Sequence, residues 1–101
     1  RIADAHHNLG TTNRLLNLLD KSEEHLQIAI GIKTSELGGG HESVAESMNS
    51  LSLTMKLNGR EDDSKEYHRR SMRIFHDNKE LERINAGGGT MVAGNKGGIF
   101  K

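Results

Sequence analysis

Apolar positions in the first part of the chain recur at close to helical spacing, and they predict a first helix over residues 2–18. Those positions are Ile2, Ala5, Leu9, Leu16 and Leu19. A second helix is predicted from about residue 21 to residue 37. Asp20 would be its N-cap, and Glu23 would complete a capping box. The glycines at 38–40 would end it, because glycine adopts the left-handed conformation at little cost.

The whole pattern then returns with a period of 42 residues, counted from Ile2 to Val44. Identical residues lie one period apart at several places along the unit. They include Leu9 and Leu51, Thr12 and Thr54, Asp20 and Asp62, Ser22 and Ser64, and Ile32 and Ile74. A fixed period of this length is typical of stacked supersecondary units, each of which buries one face against its neighbour.

In residues 26–32 large apolar residues alternate with Gln27, Ala29 and Gly31, which also fits a buried strand. The second copy favours a helix, because its apolar residues between Tyr67 and Phe75 have helical spacing. A third helix is predicted at about 42–57, ended by Asn58 and Gly59. A fourth is predicted at about 61–76, and residues 76–85 either prolong it or fray.

Two segments carry a resemblance to a known family. Residues 37–51, from Leu37-Gly38 through His41 and Val44-Ala45 to Leu51, resemble the junction between tetratricopeptide repeats of the kinesin light chain type, and residues 2–10 resemble the same helix start. The resemblance implies an all-α fold, an α-solenoid of two antiparallel helix–turn–helix units. The units would be residues 1–41 and residues 42–85 with a helical extension, followed by a flexible Gly-rich tail at 86–101.

The resemblance also implies a function, which is to hold a partner peptide in a concave groove without catalysing a reaction. The positions that line the groove in the family correspond here to Asp4, His7, Thr11, Arg14, Glu46, Asn49, Leu53 and Lys56. Asn49 could bond both N–H and C=O groups of a bound backbone. Arg14 and Lys56 lie one period apart and would suit an acidic ligand. The same positions could equally be solvated faces of amphipathic helices. Small residues that allow close helix packing are implied at Gly10, Ser22, Ala29, Ser52, Ser64 and Ser71.

Composition restricts the function further. The 14 basic residues balance the 14 acidic ones, so the chain lacks the basic footprint of a nucleic-acid-binding protein. There is no cysteine, which excludes disulfides and thiolate metal sites. No apolar run is long enough for a membrane span. These observations favour a cytoplasmic protein, and the chain, which begins at Arg1 inside a predicted helix, is interpreted as a fragment of a longer one.

Catalytic and cofactor chemistry finds little support in the sequence. The six histidines show no metal-binding spacing. We expect His6, His25 and His68 to pack within the repeats and His41 to lie at their junction. The tail segment 89–96 resembles a phosphate-binding loop, but Asn95 separates the second glycine from Lys96. Neither an enzyme nor a bound cofactor or metal is therefore expected, and nucleotide binding by the tail ranks last.

Two further interpretations stay open at this stage. The repeats could act only as structural spacers within a larger multidomain regulatory protein. They could also associate with one another through exposed end faces, because stacks of this kind usually need about three repeats for stability. The isolated chain is accordingly expected to be marginally stable.

Overall fold

The computed structural model describes residues 2–86, and these residues form four helices. The helices are α1 (Ile2–Leu15), α2 (Leu19–Leu37), α3 (Glu42–Leu57) and α4 (Glu61–Ala86). The described range contains no strand, so the all-α prediction is confirmed, and residues 26–32 lie within α2. The tail segment 89–96, which resembles a phosphate-binding loop, lies outside the described residues.

The four helices pack as two hairpins that stack on each other. The extensive contacts are those of α1 with α2 and of α3 with α4, and α2 packs against α3 to join the hairpins. The largest buried side chains, Leu26, Leu51 and Met55, form one cluster at this junction, with Ile30 and Tyr67 half-buried beside it. The core is therefore shared between the two repeats, so each repeat stabilises the other.

The turns inside the two repeats have the same backbone conformation. Asn17 has a φ of 63°, and Gly59, one period later, has a φ of 80°. Asparagine and glycine are the residues that tolerate this left-handed region best. As a result α1 ends at Leu15, three residues before the end predicted from the apolar pattern. The predicted end of α3 at Asn58 and Gly59 is correct.

The predicted N-cap of α2 is wrong. Because the turn closes at Asn17, α2 begins at Leu19, and Leu18 is the N-cap without a side-chain hydrogen bond. The amide of Ser22 donates to the carbonyl of Leu18 over 3.0 Å. Asp20 therefore lies in the first turn of the helix, and Glu23 does not complete a capping box. An acidic residue in a first turn still interacts favourably with the helix dipole.

The junction between α2 and α3 combines a glycine with a histidine cap. Gly38 has a φ of 92° and ends α2 as predicted. His41 is the N-cap of α3, and its Nδ1 accepts a hydrogen bond from the amide of Ser43 over 3.0 Å. The inter-repeat histidine therefore satisfies a helix terminus. Ala86 is the last residue of α4, so the helix reaches into the first position of the predicted tail.

Candidate functional site

The first row of predicted groove residues lies along α1. Asp4 is exposed, whereas His7, Thr11 and Arg14 are half-buried. The hydroxyl of Thr11 donates to the carbonyl of His7 over 3.1 Å, within the helix. The Nε of Arg14 is buried and has no hydrogen-bond partner within residues 2–86. This row is thus less accessible than a fully solvated helix face.

His7 connects this row to the second repeat. Its Nδ1 lies 2.9 Å from Ser47 Oγ on α3. Burial lowers the pKa of His7, and the positive charge of Lys33 lowers it further, while Glu46 and Asp4 oppose the shift. Two predicted groove residues on different helices, Asp4 and Glu46, therefore lie close enough to act on the same imidazole.

Lys33 is a buried cation that sequence reasoning did not single out. Its side chain is 4% exposed, and its Nζ donates to Ser43 O over 3.3 Å and to Ser47 Oγ over 2.9 Å. A pocket of about 290 Å³ opens beside it, with Asp4 and Glu36 on the walls. The 42-residue period gave one signal of this burial, because the residue equivalent to Lys33 in the second repeat is Phe75, a half-buried aromatic.

The second row lies along α3 and is exposed throughout. It consists of Glu46, Asn49, Leu53 and Lys56. Three of its members, all but Glu46, line a pocket of about 380 Å³ together with residues of α4, namely Glu61, Ser64, Lys65 and His68. The Nδ1 of His68 lies 3.4 Å from Asn49 Oδ1. This pocket joins polar groups of both signs to the apolar side chain of Leu53.

A group of four polar residues joins α2 to the turn between α3 and α4, and we call it the inter-repeat polar cluster. Its members are Asp20, Glu23, Asn58 and Arg60. The Nδ2 of Asn58 donates over 2.9 Å to Asp20 Oδ1 and over 2.9 Å to Glu23 Oε2, and Arg60 pairs with Glu23 Oε1. Glu23 is 6% exposed, so its charge is compensated by Arg60 as a buried carboxylate requires. The cluster was not predicted, because the residues that bond across the junction lie 35 to 38 residues apart in sequence.

The histidines take mainly structural positions. His6 and His25 are half-buried, and their rings stack at 5.2 Å with their Nδ1 atoms 3.0 Å apart, which confirms the predicted packing. The prediction is wrong for His68, which is exposed. In the first repeat the equivalent residue is Leu26, which α3 covers, whereas within residues 2–86 no helix covers α4 in this way. No group of three or more metal-binding side chains occurs in the described part of the chain.

Within the described residues no helix is long and apolar enough to cross a membrane. The helical hairpins and their 42-residue period agree with the comparison to known protein families. A family model described as tetratricopeptide repeat matches residues 1–76. No curated protein sequence and no solved structure matches the chain significantly. The match covers three quarters of the 101 residues, and members of the family are repeat scaffolds that mediate interactions between proteins. The chain therefore belongs to the tetratricopeptide repeat family.

Proposed function

We propose that the chain is a protein-interaction module that holds an extended, acidic peptide along the faces of α1 and α3. The observation that carries the proposal is the contact of His7 with Ser47, at 2.9 Å, which brings the row on α1 beside α3. Ser47 directly follows Glu46 of the second row, so the two rows are neighbours at this end. A peptide lying across the rows could contact both repeats at once.

The chemistry of the two rows supports an acidic ligand. Lys56 is exposed in a pocket with Lys65, and Arg14 has a buried Nε without a partner among the described residues. A ligand carboxylate could accept from both cations, and Asn49 could bond its backbone. In this proposal the repeats are of the kinesin light chain type, the protein acts in the cytoplasm as an adaptor, and neither an enzyme activity nor a cofactor is involved.

The test is a charge reversal along the proposed groove. The probe is a blocked peptide of alternating Glu and Leu residues, and its binding is measured by fluorescence anisotropy. We expect Arg14→Glu combined with Lys56→Glu to weaken binding by about tenfold or more, because both cations become repulsive. The matched control combines Arg73→Glu with Lys79→Glu, which changes the net charge equally on exposed positions of α4. Equal affinity of the two double variants would overturn the groove proposal.

The second candidate is a structural spacer, and the inter-repeat polar cluster is the observation that favours it. Glu23, Asn58 and Arg60 join the two repeats through a buried carboxylate, which suits a rigid connector. A spacer would bind neither the acidic peptide nor a matched peptide of Lys and Leu residues. The anisotropy measurement therefore distinguishes the two candidates directly.

The proposal also includes self-association through exposed apolar side chains. Large apolar side chains are exposed on the outer side of α1, among them Ile2 at 70% and Leu9 at 47%. Exposed apolar residues in such numbers are typical of a surface that another protein covers. The partner would then be a protein surface in place of, or in addition to, an extended peptide.

A further inference from the structure

The two repeats are equivalent in sequence, but their equivalent side chains are covered to very different degrees. Val44 and Leu51 are fully buried, because α3 packs against α2. Their equivalents one period earlier are Ile2, 70% exposed, and Leu9, 47% exposed. We call the outer side of α1 the head face and define it by Ile2, Leu9 and Thr12, which correspond to Val44, Leu51 and Thr54. It repeats the pattern with which α3 docks on the first repeat.

The surface that receives α3 is also repeated. Ser22, Glu23 and Leu26 of α2 contact α3 and the turn that follows it. Ser22 Oγ lies 3.0 Å from Thr54 Oγ1, and Leu26 belongs to the cluster with Leu51 and Met55. One period later stand Ser64, Lys65 and His68 on α4, which we call the tail face. All three line the pocket beside α3, and both Lys65 and His68 are exposed.

We propose that the head face of one copy docks on the tail face of a second copy, in the arrangement by which α3 docks on α2. The inference rests on the proposed role of the chain as a protein-binding module. It identifies the partner as a second copy of the chain. In the docked pair, Leu9 takes the place of Leu51 and lies against His68. Thr12 takes the place of Thr54, within reach of the hydroxyl of Ser64.

The chain's own later residues do not supply a substitute for the second copy. One period after Val44, Leu51 and Thr54 the sequence has Ala86, Ala93 and Lys96, so the apolar pattern does not return a third time. The head face, in contrast, repeats Leu51 and Thr54 identically as Leu9 and Thr12. Of the surfaces within this sequence, the head face is therefore the one that matches the tail face.

The docked pair would be weaker than the internal junction, for three reasons that the side chains give. Lys65 stands in place of Glu23 and Leu18 in place of Arg60, so the ion pair of the inter-repeat polar cluster has no counterpart. His68 replaces the fully buried Leu26, and Asn13 replaces the buried Met55 of the same apolar cluster. We therefore expect weak, concentration-dependent association. Because a head-to-tail contact leaves one head face and one tail face free, the association continues beyond the dimer.

The test is sedimentation of the whole chain over a roughly hundredfold range of protein concentration. We expect the weight-average mass to rise above the monomer mass of 11.1 kDa and to pass the dimer mass without a plateau. The head variant Leu9→Glu and the tail variant His68→Glu should each stay monomeric, because each buries an unpaired charge in the contact and weakens it about tenfold or more. Ile2→Glu, at a position 70% exposed in the first turn of α1, is a second head variant whose folding is not at risk, and its equivalent Val44 is fully buried.

Mixing the head variant with the tail variant tests the head-to-tail geometry directly. The head variant keeps an intact tail face and the tail variant keeps an intact head face, so the mixture should form a one-to-one dimer that grows no further. The control is Leu15→Glu, because Leu15 is 78% exposed and its equivalent Leu57 is 60% exposed, which places both outside the repeated contact. The control should associate like the unmodified chain. A chain that stays monomeric throughout, or one that stops at a dimer insensitive to Leu9→Glu and Ile2→Glu, overturns the proposal. The peptide measurement is made at protein concentrations where the chain is monomeric and compares variants at Arg14 and Lys56, so the docking proposal and the groove proposal can fail separately.

Discussion

The hydroxyl of Ser22 donates a hydrogen bond to the carbonyl of Gly10 over 2.7 Å and so joins the two helices of the first repeat. One period later, Ser64 Oγ donates to the carbonyl of Ser52 over 2.8 Å. The bond therefore recurs at the same place in both repeats. The two helices of a repeat can approach closely because the residue at each end of the bond is small.

The close approach predicts that Gly10 does not tolerate a side chain. A Cβ at this position would lie 2.6 Å from Leu26 Cγ, and Leu26 is fully buried. We expect Gly10→Ala to lower the free energy of unfolding by about 1–3 kcal/mol through overpacking, measured by urea denaturation. Gly31→Ala is the control, because a Cβ there meets nothing within 4 Å. It should raise stability by about 0.5–1 kcal/mol through helix propensity. Equal effects of the two substitutions would refute the steric argument.

Ser71 carries a buried hydroxyl with no hydrogen-bond partner in the described part of the chain, and the equivalent residue in the first repeat is Ala29. We expect Ser71→Ala to stabilise the protein by about 1 kcal/mol, because it removes an unsatisfied polar group. Ser64→Ala should destabilise it by a similar ~1 kcal/mol, since that hydroxyl donates to Ser52. The two alanine variants are compared by thermal unfolding. A loss of stability in Ser71→Ala would contradict the prediction.

The environment of His7 predicts a loss of stability in acid. Burial and the charge of Lys33 lower the pKa of His7 in the folded protein. Below a pH of about 6.5 the unfolded chain therefore binds a proton at this residue before the folded chain does, and stability falls as the pH is lowered. His7→Asn introduces the residue of the second repeat, Asn49, and should make the fall less steep between about pH 6.5 and 5. Parallel pH profiles of the two proteins, obtained by denaturation, would contradict this.

The inter-repeat polar cluster predicts that Glu23 couples the repeats. Glu23 is buried and bonded to both Asn58 and Arg60, so its removal breaks both bonds between this carboxylate of α2 and the turn before α4. We expect Glu23→Ala to reduce stability clearly more than Glu24→Ala, which truncates an exposed neighbour. Hydrogen exchange should also become faster at the start of α2 and in the turn before α4. Unchanged exchange at both places would show that the cluster does not couple the repeats.

The 42-residue period predicts much of the fold. The wrong predictions, the end of α1 and the N-cap of α2, lie where the apolar pattern of the first copy differs from that of the second. The period resolved the ambiguity at residues 26–32, because Tyr67 and its neighbours have helical spacing. The end of α1 was misplaced because the apolar pattern continues through Leu16 to Leu19. The equivalence of Asn17 with Gly59 would have indicated the turn. The misplaced N-cap at Asp20 follows from the same error.

The candidate site was less predictable than the fold. His7 is half-buried and contacts Ser47 of α3 at 2.9 Å, a relationship that no single helix encodes. Lys33 was not singled out, because a lysine on an amphipathic helix is ordinarily solvated through its ammonium group. Here that group donates to Ser43 and Ser47 across the junction of the repeats. Such contacts between distant positions follow from the stacking geometry.

The central claim is that the faces of α1 and α3 bind an acidic peptide, and amide chemical shifts test it most directly. The peptide of alternating Glu and Leu residues is titrated into the isotopically labelled chain, with the Lys and Leu peptide as control. The account predicts shifts concentrated at Asp4, His7, Thr11 and Arg14 on α1 and at Asn49, Leu53 and Lys56 on α3, and none of that size with the control. Shifts confined to the outer side of α4, or equal shifts with both peptides, would contradict it.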